Sequence, residues 1–226
     1  MNNLDSTFLS NMQAILGNEY DDFINSLSLP NEKAIFVNNN KISTEQFENC
    51  VDFSISPIAY EKAGFYVGNA KLGRHPLHHA GAFYVQEPSS MFTVNSYNFK
   101  GDERVLDMCA SPGGKSIQIA NRIPNGLLVS NEIDKARSSI LFSNIERMGL
   151  KNVIVTNDTP QNIATAYANC FDVCLVDAPC SGEGMFRKGE DMVASWNPNL
   201  NAMCAARQKE ILTEANKALN AGAQSS

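Results

Sequence analysis

The chain has 226 residues, with 18 Lys+Arg against 24 Asp+Glu for a net charge of −6, and 43% of its residues are hydrophobic. At about 150 residues per domain this is material for one to two domains, and an ordinary apolar fraction with modest net charge excludes a generally disordered chain. No apolar run approaches the roughly 18 residues of a membrane-crossing helix, and MNNLDSTFLSNMQAIL lacks the basic-then-apolar order of a secretory signal.

In chain order, Leu4, Phe8, Leu9, Met12, Ile15 and Leu16 recur at helical spacing, and Tyr20, Phe23, Ile24 and Leu27 form a second short amphipathic stretch ending at Pro30. AIFV (34–37) reads as a strand and NNNK as the turn after it. STEQFENC offers a capping box, with Ser43 or Thr44 preceding Gln46. These features predict a small α+β unit over residues 1–82, closed by a segment that holds Lys71, Arg74, His75, His78 and His79. From there the rhythm is regular. Strand candidates at 103–108, 126–132, 152–158 and 171–177 alternate with helical stretches, and a last helix is predicted from Met203 to Leu219. Apolar strands alternating with helices predict a parallel sheet covered on both faces, an α/β domain over residues 83–226.

The six cysteines form no CxxC pair, so reduced thiols and a cytoplasmic protein are expected. The three histidines lack the accompanying ligands of a zinc site, and no metal is expected. The negative net charge does not advertise a nucleic-acid binder, although a local positive stripe is all that binding needs.

Each apolar run ends in a carboxylate: Asp107, Glu132, Asp158 and Asp177. Asp is a common helix cap and turn former, but the C-terminal ends of parallel strands also form the ligand crevice of an open α/β sheet. Four strand ends carrying four acids point to one site. The first acid opens DMCASPGGKS (107–116), where Gly113 and Gly114 admit close backbone approach at a helix N-terminus. A phosphate-binding P-loop needs Gly where Cys109 stands, and Pro112 removes an amide from such a cradle. A nucleotide hydrolase is therefore the lesser alternative. Glu132, 25 residues beyond Asp107, stands where Rossmann-type proteins place the acid for ribose hydroxyls, and Asp158 is placed for an adenine amino group. The dinucleotide fingerprint is missing, whereas a ring of acids suits the sulfonium of S-adenosylmethionine.

The fourth strand runs into Asp177-Ala178-Pro179-Cys180-Ser181-Gly182. Carbon 5 of cytosine is a poor nucleophile until a thiolate adds at carbon 6, so a cysteine presented after such a strand points to carbon methylation. A structural thiol is the plainer reading of a lone cysteine, and Cys174 inside the strand fits it.

Taken together, YVQEPSSM (84–91), DMCASPGGKS (107–116), NE (131–132), ND (157–158) and DAPCSGEGMFRK (177–188) resemble the Sun/nucleolar-protein family of RNA (cytosine-5) methyltransferases, and within it the bacterial small-subunit ribosomal RNA methyltransferase F group. AIFVNNNKIS (34–43) resembles that family's N-terminal unit, except that Phe36 stands where the family usually has Arg, which removes the RNA contact expected there. The resemblance implies a Rossmann-like methyltransferase domain behind a small α+β RNA-interaction unit. It implies that Cys109, Ala110, Ser111, Pro112, Gly113, Gly114 and Lys115 wrap the methionine and ribose part of S-adenosylmethionine. Glu132 would hold the ribose, Asp158 the adenine side, and Asp177 would sit beside the methyl donor or target base. Lys71, Arg74, Arg187 and Lys188 are candidates for RNA phosphates, and residues 86–90 for the entrance to the site.

In the family the attacking thiol lies in a later Thr-Cys, and no Thr-Cys occurs in these 226 residues. The resemblance then gives Cys180 the role of assisting release of the methylated base. The expectation is an N-terminal fragment whose strand at 171–177 is left as an apolar edge, which binds cofactor weakly or not at all and does not methylate RNA. A non-catalytic RNA-binding fragment is the second alternative.

Overall fold

The computed structural model describes residues 4–188 and 190–225. By contact they fall into two units, one of Met1–Asn31 with Ala178–Glu210 and the other of Glu32–Asp177 with Ile211–Ser226, a grouping that differs from a single cut at residue 82. Among the described residues no helix is long and apolar enough to cross a membrane.

The chain opens with α1 (Ser6–Leu16) and α2 (Tyr20–Ser26). Asp5 caps α1 by accepting a hydrogen bond from the Thr7 amide at 2.7 Å. Then come β1 (Ala34–Val37), α3 (Thr44–Cys50), β2 (Ser56–Ile58), β3 (Glu61–Tyr66), α4 (Pro76–His79), β4 (Phe83–Val85) and α5 (Pro88–Asn95). The capping box of α3 is closed by Ser43, whose hydroxyl accepts from the Gln46 amide while Gln46 accepts from that of Ser43. The four strands make an antiparallel sheet in the order β2-β3-β1-β4.

The second half begins with β5 (Arg104–Asp107), α6 (Gly114–Arg122), β6 (Leu127–Asn131), α7 (Lys135–Met148), β7 (Val153–Thr156), α8 (Pro160–Ala166) and β8 (Phe171–Leu175). It continues with α9 (Glu190–Ser195), α10 (Asn199–Ala218) and β9 (Leu219–Ser225). Its sheet has the order β7-β6-β5-β8-β9, and every neighbouring pair is parallel. The expected apolar edge at 171–177 is thus corrected. After α10 the chain returns along β8, pairing Phe171 with Leu219 and Cys174 with Ser225, so β8 is an interior strand. The sequence LNAGAQS carries small and polar residues and no apolar alternation, which hid this strand from a pattern reading.

The two sheets of the larger unit share one core. Phe36, 2% exposed on β1, packs in the same cluster as Val105, Ile117 and Leu141, so the residue that departs from the family's Arg is a core residue. Polar ties reinforce the contact. The Asn38 amide donates to the carbonyls of Gly81 (3.0 Å) and Met148 (2.8 Å), and Lys41 Nζ caps α7 through the Arg147 carbonyl at 2.8 Å. On β3, Glu61 is 5% exposed and accepts from Gln118 Nε2 and from the Arg122 guanidinium, both on α6 and both at 2.5 Å. The smaller unit is organised by Phe8, Phe186 and Trp196, whose rings meet edge-on with centroids 5.0 to 6.4 Å apart. Phe8 is the buried residue of α1, which explains why that helix groups with residues 178–210 and not with the sheet that follows it.

Removing the cation from a buried pair leaves an uncompensated charge, whereas an exposed pair contributes little. In urea unfolding, Arg122→Met is expected to cost about 3 kcal/mol. Arg104→Met, which breaks the half-exposed pair with Asp172, should cost under about 1 kcal/mol.

Candidate active site

The site is built where β5 ends. Asp107 is the last residue of that strand, and the chain then turns through Met108–Gly113 into α6. Two amides of the turn finish the ladders on either side: Met108 N–H donates to the Leu175 carbonyl at 3.0 Å, and Ala110 N–H to that of Asn131 at 2.8 Å. Gly113 closes the turn at φ +113°, a conformation that L side chains rarely adopt, and a Cβ there would stand 3.0 Å from Leu141 Cδ1. A Cβ on Gly114 would stand 3.1 Å from the Tyr84 ring and 3.2 Å from Gln86 Cδ, so α6 starts close against β4. Ser111 and Arg137 exchange hydrogen bonds at 3.0 Å, and Asn144 donates to the Pro112 carbonyl at 2.8 Å. The turn is held from three sides before any ligand arrives.

Its electrostatics are set by burial. Asp107 is 1% exposed; its Oδ2 accepts from the Ser116 hydroxyl at 2.7 Å, and its Oδ1 has no partner among the described residues. Desolvation pushes its carboxyl up to about 6, against the opposing pull of Ser116 and Lys115. Lys115 Nζ lies 2.7 Å from Asp177 Oδ2 and 3.0 Å from the Ser90 hydroxyl. Glu132, 3% exposed, accepts from the Asp134 amide at 3.0 Å, and its other oxygen stands 3.4 Å from the Arg137 guanidinium. Burial, reinforced by Asp107, Glu132 and Asp177, pushes the Cys109 thiol up to about 12, so it stays protonated and is no nucleophile at neutral pH.

The sequence-predicted residues therefore divide. Cys109 to Lys115, Glu132 and Asp177 follow the C-terminal ends of β5, β6 and β8, and Lys115 joins the first of these segments to the last through Asp177. Asp158, exposed, joins them through the backbone, since Asn131 Oδ1 accepts from the Asp158 amide at 3.2 Å and Asn131 Nδ2 donates to its carbonyl at 3.0 Å. Lys71 and Arg74 are exposed, the one preceding and the other ending the short helical turn Leu72–Arg74. Cys180 is exposed and belongs to the smaller unit, as do Arg187 and Lys188, whose side chains lie outside the described residues. Asp107, the first of the four strand-end acids expected at one site, is the most deeply buried of them. One residue and one contact escaped the sequence reading. Asn131, buried, ties the ends of β5, β6 and β7 together. Ser90 reaches Lys115 from α5. The polar SN that ends the apolar GLLVSN is a signal for Asn131; Ser90 lies among residues 86–90, expected at the entrance to the site, but nothing local marks its bond to Lys115.

Among the described residues no cluster of three His, Cys, Asp or Glu is arranged for a metal site. His75 uses both ring nitrogens, one facing Asp52 at 3.0 Å and one accepting from the Leu77 amide. All six cysteines are free.

The model of the 16S rRNA methyltransferase RsmB/F family matches residues 94–224, and that of the N-terminal domain of 16S rRNA methyltransferase RsmF matches residues 4–88. The chain belongs to the RsmB/F family. It is 36% identical to ribosomal RNA small subunit methyltransferase F of Erwinia tasmaniensis over 95% of its own length, and 37% identical to that of Pectobacterium carotovorum over 97%. In both cases it covers 48% of the relative, so it spans about half the length of the curated relatives it matches. Among solved structures, a methyltransferase homolog protein from Pyrococcus horikoshii superposes with a TM-score of 0.77 at 24% identity, over 97% of this chain and 75% of that one. NSun6 from the same organism, solved with SFG, superposes with a TM-score of 0.86 at 18% identity, over 98% and 82%. The fold is that of a Rossmann-like methyltransferase domain, together with a sheet-bearing N-terminal part. Family membership removes the nucleotide-hydrolase alternative.

A carboxyl whose folded pKa lies above its unfolded value stabilises the fold while protonated, and that contribution is lost as pH rises through the folded value. For Asp107 the window runs from about 4 to about 6. Relative to Asp107→Asn, the wild-type chain is expected to lose on the order of 3 kcal/mol across that window, as read by urea unfolding at each pH.

Proposed function

We propose that the whole protein is an S-adenosylmethionine-dependent (cytosine-5) methyltransferase of small-subunit ribosomal RNA, acting in the cytoplasm, and that this chain carries its cofactor site. The observation that supports the reading best is the crevice itself. Its acids gather at strand ends around a glycine turn, and a buried carboxylate oxygen of Asp107 is left without a donor. A sulfonium bearing an ammonium group is a ligand whose charge such a donor set fits; a triphosphate is not. The names of the curated relatives support the ribosomal substrate.

When bound, S-adenosylmethionine supplies the electrophilic methyl group. The chain's own residues hold it. The turn from Cys109 to Lys115 wraps the methionine and ribose portion, its path set by the positive φ of Gly113 and by the close packing of Tyr84 and Gln86 on Gly114. Glu132, already fixed by the Asp134 amide and Arg137, accepts from the ribose hydroxyls, and Asp158 accepts from the adenine amino group. Asp177, paired with Lys115, stands at the end where methyl donor and target base meet. Cys180 assists release of the methylated base. Lys71, Arg74, Arg187 and Lys188 take RNA phosphates, with RNA contact centred on residues 1–82 and cofactor binding on 83–226. With no Thr-Cys among its 226 residues, attack on cytosine carbon 6 is assigned to no residue here.

Titration calorimetry of the chain with S-adenosylmethionine tests the assignment, with circular dichroism as the control for folding. An exposed edge at 171–177 predicts weak or absent binding; with β8 paired to β9, saturable binding is expected instead, with Glu132→Ala and Asp177→Ala each weakening it by about tenfold or more, the scale of one or two charged hydrogen bonds. Magnesium ATP should give no binding heat. A folded chain that binds no S-adenosylmethionine, or binds it equally well without Glu132 and Asp177, overturns the reading.

A further inference from the structure

Lys115 is in an awkward place for a cation. It is the second residue of α6, where the positive end of the helix dipole disfavours an ammonium. A lysine stem with four rotatable bonds is free to swing its charge out to water. It does not: its side chain is only 15% exposed, and the ammonium is held between two oxygens from elsewhere in the chain, Asp177 Oδ2 at 2.7 Å and Ser90 Oγ at 3.0 Å.

Ser90 is itself held. It stands in the first turn of α5, its amide donating to the Glu87 carbonyl at 3.1 Å. Gln86 Nε2 donates to its hydroxyl at 3.4 Å, so the oxygen accepts from Gln86 and from Lys115 with its two lone pairs. Gln86 is 6% exposed and fills the space left by the bare Cα of Gly114, the residue before Lys115. Behind it Gln118 carries the line on, with Oε1 3.5 Å from Gln86 Nε2 and its own Nε2 donating to the Met91 carbonyl at 3.0 Å and to buried Glu61 on β3. A continuous polar path therefore runs from the antiparallel sheet to the crevice ammonium.

We propose that Ser90, supported by Gln86, is a positioning residue that holds the Lys115 ammonium against Asp177. The antiparallel sheet and α5 thereby fix the charge geometry at the reacting end of the crevice. The influence of Ser90 on the site runs through Lys115, the side chain its hydroxyl holds. The functional consequence rests on the cofactor reading above, but the positioning itself does not, and the two are tested separately.

Competitive acetylation of the intact chain, with Lys115 followed by peptide mass spectrometry and exposed Lys62 as the internal reference, reads the positioning. Ser90→Ala is expected to raise Lys115 reactivity relative to Lys62 by roughly fivefold, the scale of one hydrogen bond. Gln86→Met should raise it by a smaller factor, and Ser90→Thr, which keeps the hydroxyl, should return it to the wild-type value. An unchanged ratio in Ser90→Ala, or no rescue by Ser90→Thr, overturns the proposal. Titration calorimetry with S-adenosylmethionine reads the consequence. Ser90→Ala should weaken affinity by a similar factor in the wild-type background and leave it unchanged in a Lys115→Met background. An equal loss on both backgrounds means that Ser90 does not act through Lys115, and overturns the proposal. A wild-type chain that binds no cofactor removes the functional reading, and the acetylation ratios then decide the positioning alone.

Discussion

The turn between Asp107 and Gly114 has its shape because its amides do the work of strand residues. Met108 and Ala110 extend the hydrogen-bond ladders of β8 and β6 past the end of β5, on opposite sides of it. A loop with both edges sewn to neighbouring strands cannot relax toward solvent, and this forces Asp107 to remain in the sheet with its carboxyl away from water. The same constraint brings Glu132 and Asp177, which follow β6 and β8, round a single point. The raised affinity of Asp107 for a proton, the protonated thiol of Cys109 and the pairing of Lys115 are all consequences of this one arrangement of backbone.

The antiparallel sheet has two tasks in the larger unit. It completes a shared core, and it closes the flank of α6 opposite the parallel sheet. Tyr84 illustrates both: its ring lies against Gly114, its hydroxyl reaches the Pro112 carbonyl at 3.5 Å, and the Arg147 guanidinium stands 5.8 Å from its centroid. The buried Glu61–Arg122 pair gives the contact a defined register, since a carboxylate in that position tolerates only a fitted cation. The antiparallel sheet is thus tied by both packing and polar contacts to the first helix after the glycine turn.

How much of this was legible in the sequence depended on whether the signal was periodic. The strands at 104–107, 127–131, 153–156 and 171–175 announced themselves as short apolar runs between helices, and the motifs at their ends singled out Glu132 and Asp177, which follow β6 and β8. The antiparallel hairpin at 56–66 did not. Pro57, Glu61 and Lys62 break its alternation, and Glu61 is buried only because Arg122, 61 residues on, comes to meet it. β9 was missed for a related reason, because a strand of small and polar residues has nothing for a hydrophobic pattern to detect. Ser90 marks the same limit. A hydrogen bond across 25 residues is a property of the assembled fold and leaves no trace in local spacing.

The two cysteines closest to the chemistry show why residue type alone underdetermines role. Both follow a parallel strand that ends in an acid, and both carry the same thiol. Cys109 is held among three carboxylates and largely out of water, so its thiolate is opposed by desolvation and by charge together, and it serves as packing. Cys180 is exposed, and it belongs to the smaller unit. The acid crevice that suits a cationic methyl donor is by the same physics hostile to a thiolate, and the reactive sulfur of such a site must come from outside it.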